Sequence, residues 1–224
     1  MRQSSAKKAE GKTSRGLARD KVFAAAADLF YRKGVHAVGV EEIVREADVA
    51  KISLYRNFAS KDDLVVAYLE ERSRAFLRDW DEAFDRYRDD PPAQLRAIMT
   101  YIARRTTREC YRGCPFINFC AEFPDPAHPG RAVASATKGA LRARFLRLAE
   151  ALRAPEPKRL ADGFLLLVEG AYGLSQTLGG GAGGAGHAVV WAGEMLVAAA
   201  RSEAAEPARP GGRPARSRRR KEVG

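Results

Sequence analysis

The 224-residue chain lacks the long apolar runs, paired cysteines and clustered histidines that mark several large protein classes. Its richest apolar stretches, around Phe164 to Val168 and Ala188 to Ala200, are interrupted by Glu169 and Glu194. Neither reaches the ~18 uninterrupted residues of a membrane span, so no membrane partner is expected. The opening segment MRQSSAKKAEGKTSRG is charged with no apolar run behind it, which argues against a secretory signal and for a cytoplasmic protein. Only three cysteines occur, Cys110, Cys114 and Cys120, without a CxxC pair. A disulfide framework is therefore not expected, and free thiols are. His36, His128 and His187 are far apart and no Cys–His spacing suits a metal. Neither a metal nor a cofactor is expected. No nucleophile, base and orienting group stand at a recognisable spacing, which argues against an enzyme. Strand alternation and internal repeats are also missing.

What the chain has in excess is base. Lys and Arg number 39 against 28 acids, a formal charge of +11 that points to an acidic partner such as nucleic acid or an anionic surface. The excess is confined to the ends. Residues 1–19 hold six bases and one acid, residues 201–224 hold eight and three, and the body between is nearly balanced at 25 against 24. Residues 1–18 and 202–224 carry no periodic apolar positions and read as basic disordered segments. With 46% hydrophobic residues, the remainder is long enough to bury a substantial core.

Between the tails the pattern is helical, about nine helices in an all-α fold. Val22, Phe23, Ala26, Leu29 and Phe30 share one face of a first helix that Gly34 ends. Two segments of about two turns follow, residues 41–47 and 51–58. Ser60 precedes Lys61-Asp62-Asp63 as a polar cap before acids in a first turn. The long helix behind it carries Leu64, Tyr68, Phe76, Trp80, Phe84 and Tyr87 to the break at Asp89-Asp90-Pro91-Pro92. Further helices are expected over residues 92–109, 116–123, 131–152, 158–178 and 187–201.

Three short helices followed by a long one outline a helix-turn-helix head, whose third helix enters the major groove. Ile43, Val44 and Ala47 lie on one face of the second helix, and Asp48 suits a tight turn. In the third, Leu54 and Phe58 point inward while Lys51, Ser53, Tyr55, Arg56 and Asn57 cover the outside with groups that serve phosphates and base edges. Residues 17–64, with VFAAAADLFYRKG, VEEIVREADVAKISLYRNF and ASKDDL, resemble the DNA-binding head of the TetR family of transcriptional regulators. Leu54, Tyr55, Phe58, Lys61 and Leu64 carry that resemblance. A GCPFINFCAEFPDP segment is similar to one branch of the family.

The resemblance implies a head over residues 19–62 and a helical ligand-binding and dimerisation domain over 63–201. It places Tyr55 and Lys61 at phosphate-contacting positions, and Lys51, Ile52, Ser53, Arg56 and Asn57 at positions facing bases or adjacent phosphates. Gly39, Val40 and Ala50 stand where the family usually has Ser or Thr, so the helix starts there lack a capping hydroxyl. The resemblance further implies a homodimer on double-stranded operator DNA, released by a small-molecule effector and acting as a repressor. Leu165, Val168, Tyr172, Val189, Trp191, Met195 and Leu196 supply apolar surface for a dimer seam in the last two helices. Phe76, Trp80, Tyr101, Phe116, Phe119, Phe123, Phe145 and Tyr172 are pocket candidates that periodicity does not separate from core.

Several motifs admit two readings. Arg104-Arg105 fits a solvated helix face, or Arg105 fits an anionic ligand. Cys114, between Gly113 and Pro115 at a helix start, is either a small buried residue or a redox- or electrophile-sensing thiol. The GxGxxG at 181–186 follows a helix, not a strand, and reads as a flexible connection. The alternative to a specific regulator is a nonspecific nucleic-acid-binding dimer acting through its basic tails.

Overall fold

The computed structural model describes residues 14–108, 111–178 and 185–205. Over them the chain forms α1 (Ser14–Lys33), α2 (Val40–Glu46), α3 (Lys51–Tyr55), α4 (Lys61–Asp85), α5 (Pro91–Thr106), α6 (Pro115–Glu122), α7 (Pro129–Ala151), α8 (Pro157–Thr177) and α9 (Ala188–Ala205). A single 3₁₀ turn, Ala185–His187, leads into α9. No strand occurs among the described residues. Residues 1–13 and 206–224, Cys110 and most of the glycine-rich stretch at 181–186 lie outside them.

Two boundaries correct the expectation from sequence. α1 starts at Ser14, inside the segment 1–18 read as a disordered arm. Arg, Leu and Ala at positions 15, 17 and 18 are good helix formers that outweigh the single Gly16, and no proline stands there to stop the helix. α9 runs on to Ala205 rather than ending near 201, because residues 202–205 hold neither Gly nor Pro.

The other helix ends follow from local chemistry. The Ser60 hydroxyl accepts the Asp63 N–H at 3.0 Å and Asp90 accepts that of Ala93 at 3.0 Å, each satisfying a donor in a first turn. Proline opens α5, α6, α7 and α8, where its missing N–H costs nothing. Gly34 ends α1 at φ +89°. α7 ends with Arg153 in the left-handed region, its N–H on Glu150 O and that of Ala154 on Ala149 O, a Schellman closure made without glycine.

α4 is the shared axis of the fold. Its Leu64, Val65, Tyr68, Leu69, Phe76 and Trp80 are all buried, and the helix packs against α1, α5, α6 and α7. Trp80 meets Phe145 edge to face with centroids 5.0 Å apart, Phe145 meets Phe164 at 5.4 Å, and Phe76 meets both Trp80 and Phe116. Each such buried ring contributes about 1.5–3 kcal/mol from burial alone. α8 lies between α7 and α9, and α9 closes back on α5. Gly130 lets α7 pass close to α6: a Cβ there would fall 2.5 Å from the Phe119 ring.

Candidate nucleic-acid interface

α2 and α3 are too short to persist alone, so they hold their geometry by packing. Ile43 and Ala47 from α2, and Leu54 and Phe58 from α3 and the turn after it, are buried against Val22, Ala26, Leu29 and Phe30 of α1. The bend between the two helices is set by Asp48 at φ +51°. The Asp48 N–H reaches Arg45 O and that of Val49 reaches Val44 O, so the turn also consumes the last carbonyls of α2. The short Asp side chain tolerates this conformation without glycine.

With Leu54 and Phe58 inward, α3 turns its other side to solvent. Ile52 is 57% exposed and Tyr55 46%, with Lys51 and Arg56 exposed beside them and Ser53 half-buried. Asn57, half-buried, donates from Nδ2 to Ser53 O at 2.7 Å. Gly39 and Ala50 occupy the N-cap positions of α2 and α3, and neither start has a side-chain cap. Val40 begins α2 half-buried.

Two cations are already engaged. Lys51 Nζ binds Glu41 Oε1 at 2.6 Å, both side chains exposed, and that hydrogen bond holds the Glu41 carboxyl below its usual range. Lys61, at the first position of α4, does not point straight outward: its Nζ donates to Val35 O at 2.8 Å and is half-buried. Burial lowers its pKa. An ammonium has three donors, so one can stay on Val35 while another meets a phosphate. Arg19 stacks over the Phe58 ring at 5.3 Å, tying the first helix to the end of α3.

The contacts that join this region to the rest leave no trace in the linear pattern. Glu122, at the end of α6, accepts the His36 N–H at 2.7 Å and packs against Gly34 so closely that a Cβ there would lie 2.8 Å from Oε1. Tyr31 OH accepts the Arg112 N–H at 2.9 Å. These pairs are over 80 residues apart and have no periodic signature. A groove of about 420 Å³ runs between them.

The pocket candidates scatter over two clusters. Phe119 and Phe123 stack at 4.7 Å beside His128, near the head. Phe76, Trp80, Phe116, Phe145 and Tyr172 are buried deeper, with Tyr101, Arg105 and Cys114 around them. Tyr101 donates to Asp79 at 3.0 Å and accepts from Arg105 at 3.0 Å. Cys114 is the buried N-cap of α6, with Lys138 Nζ 3.5 Å from its sulfur. Of the seam candidates, Trp191 is 64% exposed, Met195 is exposed, and Leu165 and Leu196 are half-buried. Val168, Tyr172 and Val189 instead face the chain's own core and are buried there. They sit on the inner side of helices that carry apolar residues on both sides, which periodicity alone does not orient. The outer side of α8 carries Leu166, 73% exposed, and Leu174. Among the described residues no group of His, Cys, Asp and Glu could hold a metal, and no helix is long and apolar enough to cross a membrane.

Comparison with known proteins converges on one group. Residues 22–68 match the bacterial regulatory proteins of the tetR family. The HTH-type transcriptional regulator RutR of Escherichia coli K12 is 36% identical over 119 residues, 51% of this chain and 53% of RutR. The chain spans about half the length of the curated relatives it matches. A TetR transcriptional regulator from Streptomyces avermitilis is 32% identical with a TM-score of 0.71, covering 82% of this chain and 98% of that one. A TetR-family regulator from Streptomyces coelicolor superposes with a TM-score of 0.75 at 26% identity, over 82% and 96% of the two chains.

Proposed function

The chain belongs to the TetR family of transcriptional regulators, and from that membership we propose that it binds a near-palindromic operator as a homodimer and is released by a small molecule. The observation that carries the DNA reading is the outward face of α3. Ile52 and Tyr55 are large side chains left exposed on a helix whose opposite side is fully packed, and Lys51, Ser53, Arg56 and Asn57 surround them. An exposed Ile suits a thymine methyl, and the polar neighbours suit phosphates and base edges. Tyr55 and Lys61 are assigned to phosphate; Arg56, Asn57, Ile52 and Ser53 to base edges or adjacent phosphates. Gly39, Val40 and Ala50 bring uncapped backbone N–H groups toward the duplex instead of hydroxyls.

The dimer reading is supported by the outer face of α8 and α9, where Leu166, Leu174, Trp191 and Met195 are exposed. A Cβ added at Gly170 or Gly173 would touch nothing within 4 Å, so a second helix can approach closely there. A two-fold pair would set two α3 helices about one DNA turn apart. In the repressor reading, an effector held among α4 to α8 prefers a dimer in which that spacing no longer fits; it acts only through different affinities for the two states.

Selection of bound sequences from a random DNA pool tests this directly. A recovered two-fold symmetric site supports the reading, because it reports specificity, dimer symmetry and half-site spacing together. Recovery of no consensus at physiological salt, with binding that vanishes as salt rises, would assign the basic tails and not α3 as the DNA-binding element.

A further inference from the structure

Inside the bundle, six side chains close a ring. The Arg105 guanidinium lies over Phe76 at 5.8 Å, and Phe76 meets Phe116 at 6.5 Å. Lys138 Nζ stands 5.9 Å from the Phe116 ring and 5.7 Å from that of Tyr172. Tyr172 stacks with Tyr111 at 6.3 Å, and both phenols interact electrostatically with Arg105. Three of the buried polar atoms here or beside it have no hydrogen-bond partner: Tyr111 OH, Tyr172 OH and, next to Phe76, Trp80 Nε1. Leaving such a group unpaired costs about 1–3 kcal/mol, so three in one neighbourhood mark a site built for a partner.

The chemistry of that partner follows from the donors. Burial pushes both phenols up, so they stay protonated and can donate. An indole N–H and a guanidinium can only donate. Lys138 is matched by Glu169, to which it donates. Arg105 makes no salt bridge among the described residues: it lies over the Phe76 face and donates to the Tyr101 hydroxyl, which in turn donates to Asp79. The ring therefore offers a planar cation that no carboxylate touches directly among the described residues, several donors and aromatic walls. A groove of about 800 Å³ between α6, α7 and α8 reaches it at Phe116 and Lys138.

We propose that this ring binds a small monocarboxylate with a flat or slender apolar body, its carboxylate on Arg105 and the Tyr111 and Tyr172 hydroxyls. The fork of a guanidinium matches the two oxygens of a carboxylate, and the phenyl walls take the body. The proposal rests on the effector reading above and names the class of effector.

Calorimetric titration of the full chain without DNA tests it, with benzoate, phenylacetate and hexanoate as probes and their primary amides as neutral controls. At least one acid should bind at one site per chain, about tenfold or more tighter than its amide. Arg105→Gln should erase that preference, Arg105→Lys should keep part of it, and Tyr172→Phe should weaken the acid several-fold. Equal binding of acid and amide by the wild-type chain, a preference that survives Arg105→Gln, or no acid binding up to about 10 mM overturns the proposal. Operator binding followed separately by fluorescence anisotropy keeps the two readings apart. Release of the operator by neutral compounds alone overturns the carboxylate while the regulator stands. Absence of any selected operator removes the regulator whatever the acids do.

Discussion

At the scale of single residues, the surface proposed to face DNA is held partly in check by its own acids. Lys51 is a good phosphate ligand in principle, yet Glu41 already occupies it across the turn. Glu41 also brings a negative charge to the side proposed to face the duplex. Glu41→Gln should therefore strengthen operator binding several-fold at low salt, with the gain shrinking as salt rises, as titrations at stepped ionic strength would show. Unchanged or weaker binding would mean that Glu41 positions Lys51 and does not compete for it. The residue types on α3 were legible in the sequence because Leu54 and Phe58 fix which side is inward. The pairing of Lys51 was not, since nothing in a linear pattern says that positions ten apart face each other across a bend. The seat of Lys61 on Val35 O was hidden for the same reason: its acceptor is backbone and leaves no trace in composition.

At the scale of elements, the existence and order of the helices could be read from the sequence because many of the boundaries, such as Gly34, Ser60, Asp90-Pro91, Pro115, Pro129 and Pro157, are written in Pro, Gly, Ser or Asp. Their orientation was less accessible. α8 is the case in point: Phe164, Val168 and Tyr172 are buried while Leu166 and Leu174 on the same helix are exposed. An amphipathic stripe declares its inner side, but a helix with apolar residues on both sides does not. The outer stripe of α8 with Trp191 of α9 is the surface assigned to the second subunit. Leu166→Glu and Trp191→Glu should each shift the protein from dimer to monomer in sedimentation equilibrium, with helix content by circular dichroism unchanged. A variant that remains dimeric with both changes would move the seam elsewhere. Burying an unpaired carboxylate at such a seam is strongly unfavourable, whereas both sites tolerate charge in the single chain.

At the scale of the whole molecule, the structure carries its titration risk in phenols. Burial raises the Tyr68 hydroxyl to about 12 and raises those of Tyr111 and Tyr172 as well. A tyrosine in the unfolded chain ionises near pH 10. Where the folded value lies above the unfolded one, the folded state holds the proton more tightly. The stability from that difference is complete below about pH 10 and is lost as pH rises toward the folded values. Denaturant unfolding at stepped pH should therefore show a plateau through neutral pH and a fall beginning near pH 10. Tyr172→Phe should make that fall shallower by about one proton. An identical alkaline slope in the variant would show that Tyr172 ionises without unfolding. Net charge, by contrast, said little about architecture. The +11 lies in segments at the two ends, and the packed helices between are close to neutral.

α6 links two of these regions with only eight residues, about 12 Å of helix. Phe116 near its start belongs to the aromatic ring, and Glu122 at its end holds the His36 N–H beneath the first helix of the head. A rod that short has no room to bend and no glycine or interior proline at which to yield. Any push on one end must arrive at the other as tilt or translation. The fold thus places a stiff strut between its buried donors and the helices proposed to meet DNA, with the carboxylate of Glu122 as its contact on the head.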